Sequence, residues 1–85
     1  FKGLNNLECL LLALNKIKYI EPTTFDYLIN LKELNLYYND IDTIDSININ
    51  KLIKLKTLNL TMNKINCVKK QHFLNNNQLE TIKLS

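Results

Sequence analysis

Glycine and proline are nearly missing from this chain of 85 residues, which holds one of each, Gly3 and Pro22. Its turns therefore cannot depend on the two residues that most often punctuate a chain. Arginine is absent: all 11 basic residues are lysine, and no lysine run exceeds the pair Lys69-Lys70. A net charge of +3 spread this thinly is not the dense basic stripe that nucleic-acid binding needs, so no nucleic acid is expected as a partner. No apolar run approaches the roughly 18 residues of a membrane span. The stretch CLLLAL at 9–14 is too short, so no membrane contact by this segment is expected, and no targeting segment is visible at the N-terminal residues.

Catalytic patterns are missing as well. There is no Gly-rich phosphate loop, no metal-ligand spacing and no paired carboxylates that would mark a cleft. The single histidine, His72, has no Ser or Cys nucleophile beside it and reads as a surface residue. Asp40, Asp42 and Asp45 lack the Gly and Glu that a calcium loop requires. Enzyme activity, cofactors and metals are not expected. The two cysteines, Cys9 and Cys67, form no cluster that would staple a disulfide cap.

What the chain does contain is a strict period. Leu7, Leu31, Leu55 and Leu79 recur every 24 residues. Leu10, Leu34, Leu58 and Ile82 keep the same step, as do Leu12, Leu36, Leu60 and Leu84. The next columns are Asn15, Asn39 and Asn63, then Ile17, Ile41 and Ile65, then Ile20, Ile44 and Val68. Phe1, Phe25, Ile49 and Phe73 form another, and Leu4, Leu28 and Leu52 the last, all without a gap. Helical periodicity fails, because Leu31, Leu34, Leu36 and Ile41 do not hold one 3.6-residue stripe.

The unit L-x-x-L-x-L-x-x-N-x-I-x-x-I-x-x-x-x-F-x-x-L-x-x resembles the leucine-rich repeat in its 24-residue typical form. The resemblance covers the tail of one repeat (1–6), repeats 7–30, 31–54 and 55–78, and the head of another (79–85). It implies an α/β fold: a right-handed solenoid with a parallel sheet on its concave face and short helical or irregular returns on its convex face. The returns fall near 21–28, 45–52 and 69–76. In L-x-L both leucines face one side of a short strand, and the next repeat lays its strand alongside at about 4.8 Å. One repeat cannot bury its leucines alone, but a stack makes a continuous core. The Asn column is expected to form a buried ladder that answers backbone groups left unpaired by the turn. Asn76 stands where Leu is expected, so the convex side of repeat three should pack less well. No capping repeat is visible at either end, and the chain reads as an internal slice of a longer protein.

Residues between and beside the core leucines face the concave side. They run in columns: Cys9, Glu33, Thr57 and Thr81; Leu11, Asn35, Asn59 and Lys83; Ala13, Tyr37, Thr61 and Ser85; and, near the strand end, Leu14, Tyr38 and Met62. The candidate ligand-binding set is Leu11, Leu14, Glu33, Asn35, Tyr37, Tyr38, Asn59, Thr61 and Met62. Large apolar and aromatic groups on a solvated face suggest a binding hot spot centred on Tyr37 and Tyr38; the bland alternative is that the last column tucks into neighbouring turns. Lys16, Asp40 and Lys64 share a column, as do Lys18 and Asp42, and read as a solvated edge. Cys9 and Cys67 lie two repeats apart, about 9–10 Å, beyond disulfide reach, so both are expected as free thiols, with Cys67 at least half-buried. Asn59-Leu60-Thr61 is a glycosylation sequon; a glycan there would move binding toward the first two repeats.

The expected function is recognition of a protein or glycoprotein ligand on the concave face, within a larger receptor ectodomain or secreted immune or adhesion protein. The repeat type resembles the extracellular repeats of Toll-like receptors and of secreted immune leucine-rich-repeat proteins, which implies an extracellular location. The alternatives are a structural spacer or dimerisation scaffold, acting through the parent protein, and an intracellular adaptor.

Overall fold

A computed structural model describes residues 4–84. Two members of the periodic columns, Phe1 and Ser85, lie outside the described residues. Strands β1 (Cys9–Leu11), β2 (Glu33–Asn35), β3 (Thr57–Asn59) and β4 (Thr81–Lys83) form one parallel sheet in chain order. Their register is the repeat itself. Cys9 stands opposite Glu33, Thr57 and Thr81, Leu10 opposite Leu34, Leu58 and Ile82, and Leu11 opposite Asn35, Asn59 and Lys83.

The middle residue of each strand points inward. Leu34 and Leu58 are fully buried, whereas Leu10 and Ile82, on the two edge strands, are half-buried. Behind the sheet lie Leu31, Leu36, Ile41, Ile47, Leu52, Leu55 and Leu60, with Phe25, Leu28, Ile44 and Ile49 against the returns. Each fully buried aliphatic side chain contributes roughly 1.5–3 kcal/mol. Repeat two (31–54), covered on both sides, therefore holds the largest share of the core.

The returns are short, as expected. Residues 22–27 are turns, Ile44–Ile47 and Ile49–Lys51 are two 3₁₀ helices, and Lys70–Phe73 is a third. Thr43 caps the Ile44–Ile47 helix, its Oγ1 accepting the Ser46 N–H at 3.2 Å. With one glycine in the chain, positive φ falls on other residues: Leu14 (63°), Lys16 (57°), Tyr38 (55°), Asn48 (50°) and Met62 (63°).

Asparagine side chains stitch each coil to the one before. Asn39 Oδ1 accepts the N–H groups of Asn15 (3.0 Å) and Ile17 (2.9 Å), and its Nδ2 donates to the carbonyls of Leu12 (3.1 Å) and Leu36 (2.9 Å). Asn63 repeats this one coil later, accepting from Ile41 N–H (3.0 Å) and donating to Leu36 (2.8 Å) and Leu60 (3.1 Å). The rungs run from side chain to backbone, as expected, but the ladder is not buried throughout. Of its three members only Asn39 is fully buried, because Asn63 lies toward the last coil and Asn15 sits exposed on the first. On the convex side Asn30 reaches the Asn5 carbonyl at 2.8 Å and Asn48 the Ile20 carbonyl at 2.7 Å.

Asn76 shows what happens where leucine is replaced. It is buried, and its Nδ2 donates to the carbonyls of Ile49 (3.0 Å) and Leu52 (2.9 Å), while its Oδ1 has no partner. The convex side of repeat three is looser around it: Phe73 is half-buried, and Leu74 and Val68 are exposed. Two expectations fail outright. Cys67 is exposed, because the turn that carries it stands away from the core. His72 is not a free surface group. Its side chain is only 12% exposed, its Nδ1 accepts the Lys69 N–H at 3.1 Å, and its Nε2 faces Asp45 at 3.8 Å.

Candidate functional site

The concave face is built from residues that flank the inward leucines. Strand alternation sends Leu11, Asn35, Asn59 and Lys83 out in one row across four strands. Asn35 Oδ1 accepts the Tyr37 N–H at 2.9 Å, and Asn59 Oδ1 accepts the Thr61 N–H at 3.0 Å. Each amide oxygen thus clamps its own chain two residues on and is spent on folding.

Beyond the strands the backbone ladder continues. Leu12 N–H donates to Asn35 O (2.9 Å) and Leu14 N–H to Tyr37 O (3.0 Å); Leu36 N–H donates to Asn59 O (2.8 Å) and Tyr38 N–H to Thr61 O (2.9 Å). Leu14, Tyr38 and Met62 then turn into the left-handed region. That conformation is unfavourable for residues with a Cβ and persists only where the surroundings hold it. At Leu14 and Tyr38 the ladder holds it, and all three side chains stand exposed.

The outcome is an apolar strip on one face. Leu11 is 67% exposed, Leu14 66%, Tyr37 38%, Tyr38 52% and Met62 52%. The rings of Tyr37 and Tyr38 meet edge to face, with centroids 6.1 Å apart, so each limits the other's motion. The last column therefore does not tuck into the turns. Glu33 is exposed on β2, with Cys9 Sγ 3.6 Å from its Oε2. Desolvation first, then that hydrogen bond and the carboxylate's charge, raise the Cys9 thiol above its ordinary pKa. Asn35, Asn59 and Thr61 are half-buried and offer less free surface than their position in the sequence implies.

Charges border this strip. Lys64 meets Asp40 at 3.6 Å, and Lys32 meets Glu8 at 3.5 Å. Both contacts are exposed and contribute little. Among the described residues Lys18 and Asp42 form no such contact. Among the described residues, too, no group of three or more His, Cys, Asp or Glu could hold a metal ion, and no helix is long and apolar enough to cross a membrane. Sequence reasoning missed the two Asn clamps and the left-handed column. The clamps have a faint signal in the asparagines at 35 and 59; Leu, Tyr and Met give none for positive φ.

A concave parallel sheet, a 24-residue register and an asparagine after each of the first three strands define a leucine-rich solenoid. The family model described as Leucine rich repeat matches residues 1–41 and again residues 29–85, and the chain belongs to that family. No curated protein matched the chain. Leucine-rich repeats generally mediate protein–protein interaction and are non-catalytic binding modules.

Proposed function

We propose that the concave face of this chain recognises a protein or glycoprotein partner through Leu11, Leu14, Tyr37, Tyr38 and Met62, outside the cell. The observation that carries this reading is the apolar strip itself: five large side chains exposed on one face, with Leu14 and Tyr38 held by the backbone ladder. Exposed apolar groups gathered in one place mark a partner's footprint, and tyrosine gives much contact area at low entropy cost. Glu33, Asn35, Asn59 and Thr61 would form the polar rim. The extracellular setting, in a receptor ectodomain or a secreted immune or adhesion protein, is supported by the typical repeat form and by the sequon at Asn59.

A photo-crosslinking residue placed at Tyr38 of the full-length protein, and a control placed at convex Tyr27, test the face. One protein captured at Tyr38 and not at Tyr27 is then titrated against variants. Tyr37→Ala and Tyr38→Ala should each weaken binding at least tenfold, about 1.4 kcal/mol, with an unchanged melting curve. Capture through Tyr27, or unchanged affinity in both variants, overturns the proposal. One observation favours a second reading. Cys9 and Cys67 are free and exposed, which suits a reducing compartment and an intracellular adaptor. Fractionation of the source cells decides between the two settings.

A further inference from the structure

We infer that Asn59 carries an N-linked glycan that stands on the concave face. The inference rests on the extracellular reading above.

Asparagines here fall into distinct classes. Asn30, Asn39, Asn48, Asn63 and Asn76 donate Nδ2 to backbone carbonyls of the coil before, so a sugar on any of these nitrogens would break a bond that holds coils together, and Asn15 Nδ2 is bonded to the Ala13 carbonyl of its own coil. Asn35 and Asn59 are bonded through Oδ1 instead, and among the described residues their Nδ2 atoms have no partner. Both face the concave side in one row. Of these two, Asn59 alone is followed at the second position by a hydroxyl residue, Thr61; Asn35 is followed by Tyr37.

The chemistry is a glycosyl transfer. Asn59 Nδ2 attacks the anomeric carbon of a polyprenyl-diphosphate-linked oligosaccharide. A C–N bond forms, the carbon–oxygen bond to the diphosphate breaks, the lipid diphosphate leaves with the electron pair, and one amide proton passes to base. Transfer precedes folding, so the fold has only to accommodate the product. It does so here. Leu60 turns inward, buried, while Asn59 and Thr61 flank it on the other side of the strand, half-buried, and the Oδ1 clamp leaves Nδ2 without a partner among the described residues.

The test uses the natural full-length protein. Treatment with peptide-N-glycosidase in heavy-oxygen water should convert Asn59 to a labelled aspartate in the mass spectrum and leave Asn35 unlabelled. Unlabelled Asn59 in protein recovered from outside the cell overturns this inference alone; protein confined to the cytosol overturns the extracellular reading with it.

Discussion

Asn39 answers four backbone groups in two successive coils with one side chain. Alanine there leaves buried N–H and carbonyl groups unpaired, at about 1–3 kcal/mol each. Asn39→Ala should therefore cost about 3 kcal/mol in urea denaturation, against less than about 1 for Asn15→Ala on the exposed first coil. The left-handed column behaves in the opposite sense. Tyr38→Gly should be more stable than Tyr38→Ala by about 1 kcal/mol, because only glycine adopts φ near +55° freely. Paired thermal melts check that order. At Cys9 the neighbouring carboxylate favours the thiol over the thiolate. Glu33→Gln should lower the pKa and speed alkylation of Cys9 several-fold at mildly alkaline pH, read by mass spectrometry. None of these environments is visible in composition. An asparagine that clamps its own strand and one that bridges two coils are the same letter, and burial decides which it becomes.

Among the elements, the strands and the places of the short returns were legible, and the conformation that each return takes was not. Leu34, Leu36 and Asn39 recur in columns because inward groups must match from coil to coil, and so the register of all four strands follows from the period. The returns bear a lighter constraint, since one side is solvent. Two 3₁₀ helices form where Thr43 caps and Asn48 turns left-handed, turns alone where Pro22 and Thr23 stand, and nothing periodic separates these outcomes. The concave strip was foreseen from its columns, but not the left-handed turn at Leu14, Tyr38 and Met62. Asn76 shows an element tolerating a misfit. The carbonyls of Ile49 and Leu52 that it caps already accept the N–H groups of Leu52 and Leu55 at 3.0 and 3.1 Å, while its own Oδ1 is orphaned. Asn76→Leu should therefore stabilise the protein by about 1 kcal/mol, measured as a higher urea midpoint.

For the molecule as a whole, among the described residues each strand pairs with the strands of the neighbouring coils, so stability is shared between near neighbours. The two inner strands carry buried leucines and the two edge strands half-buried ones. Hydrogen exchange should find the amides of β2 and β3 slowest, and Leu34→Ala should cost about 2–5 kcal/mol against less for Leu10→Ala. The stitching has a direction as well. Among the described residues the amide nitrogens of Asn30, Asn39, Asn48, Asn63 and Asn76 each donate back to carbonyls of the coil before, and none donates to a carbonyl of the coil after. A polypeptide leaving the ribosome amino end first thus delivers every fastener after the surface it fastens to, so the arc can close turn by turn during synthesis without waiting for its far end.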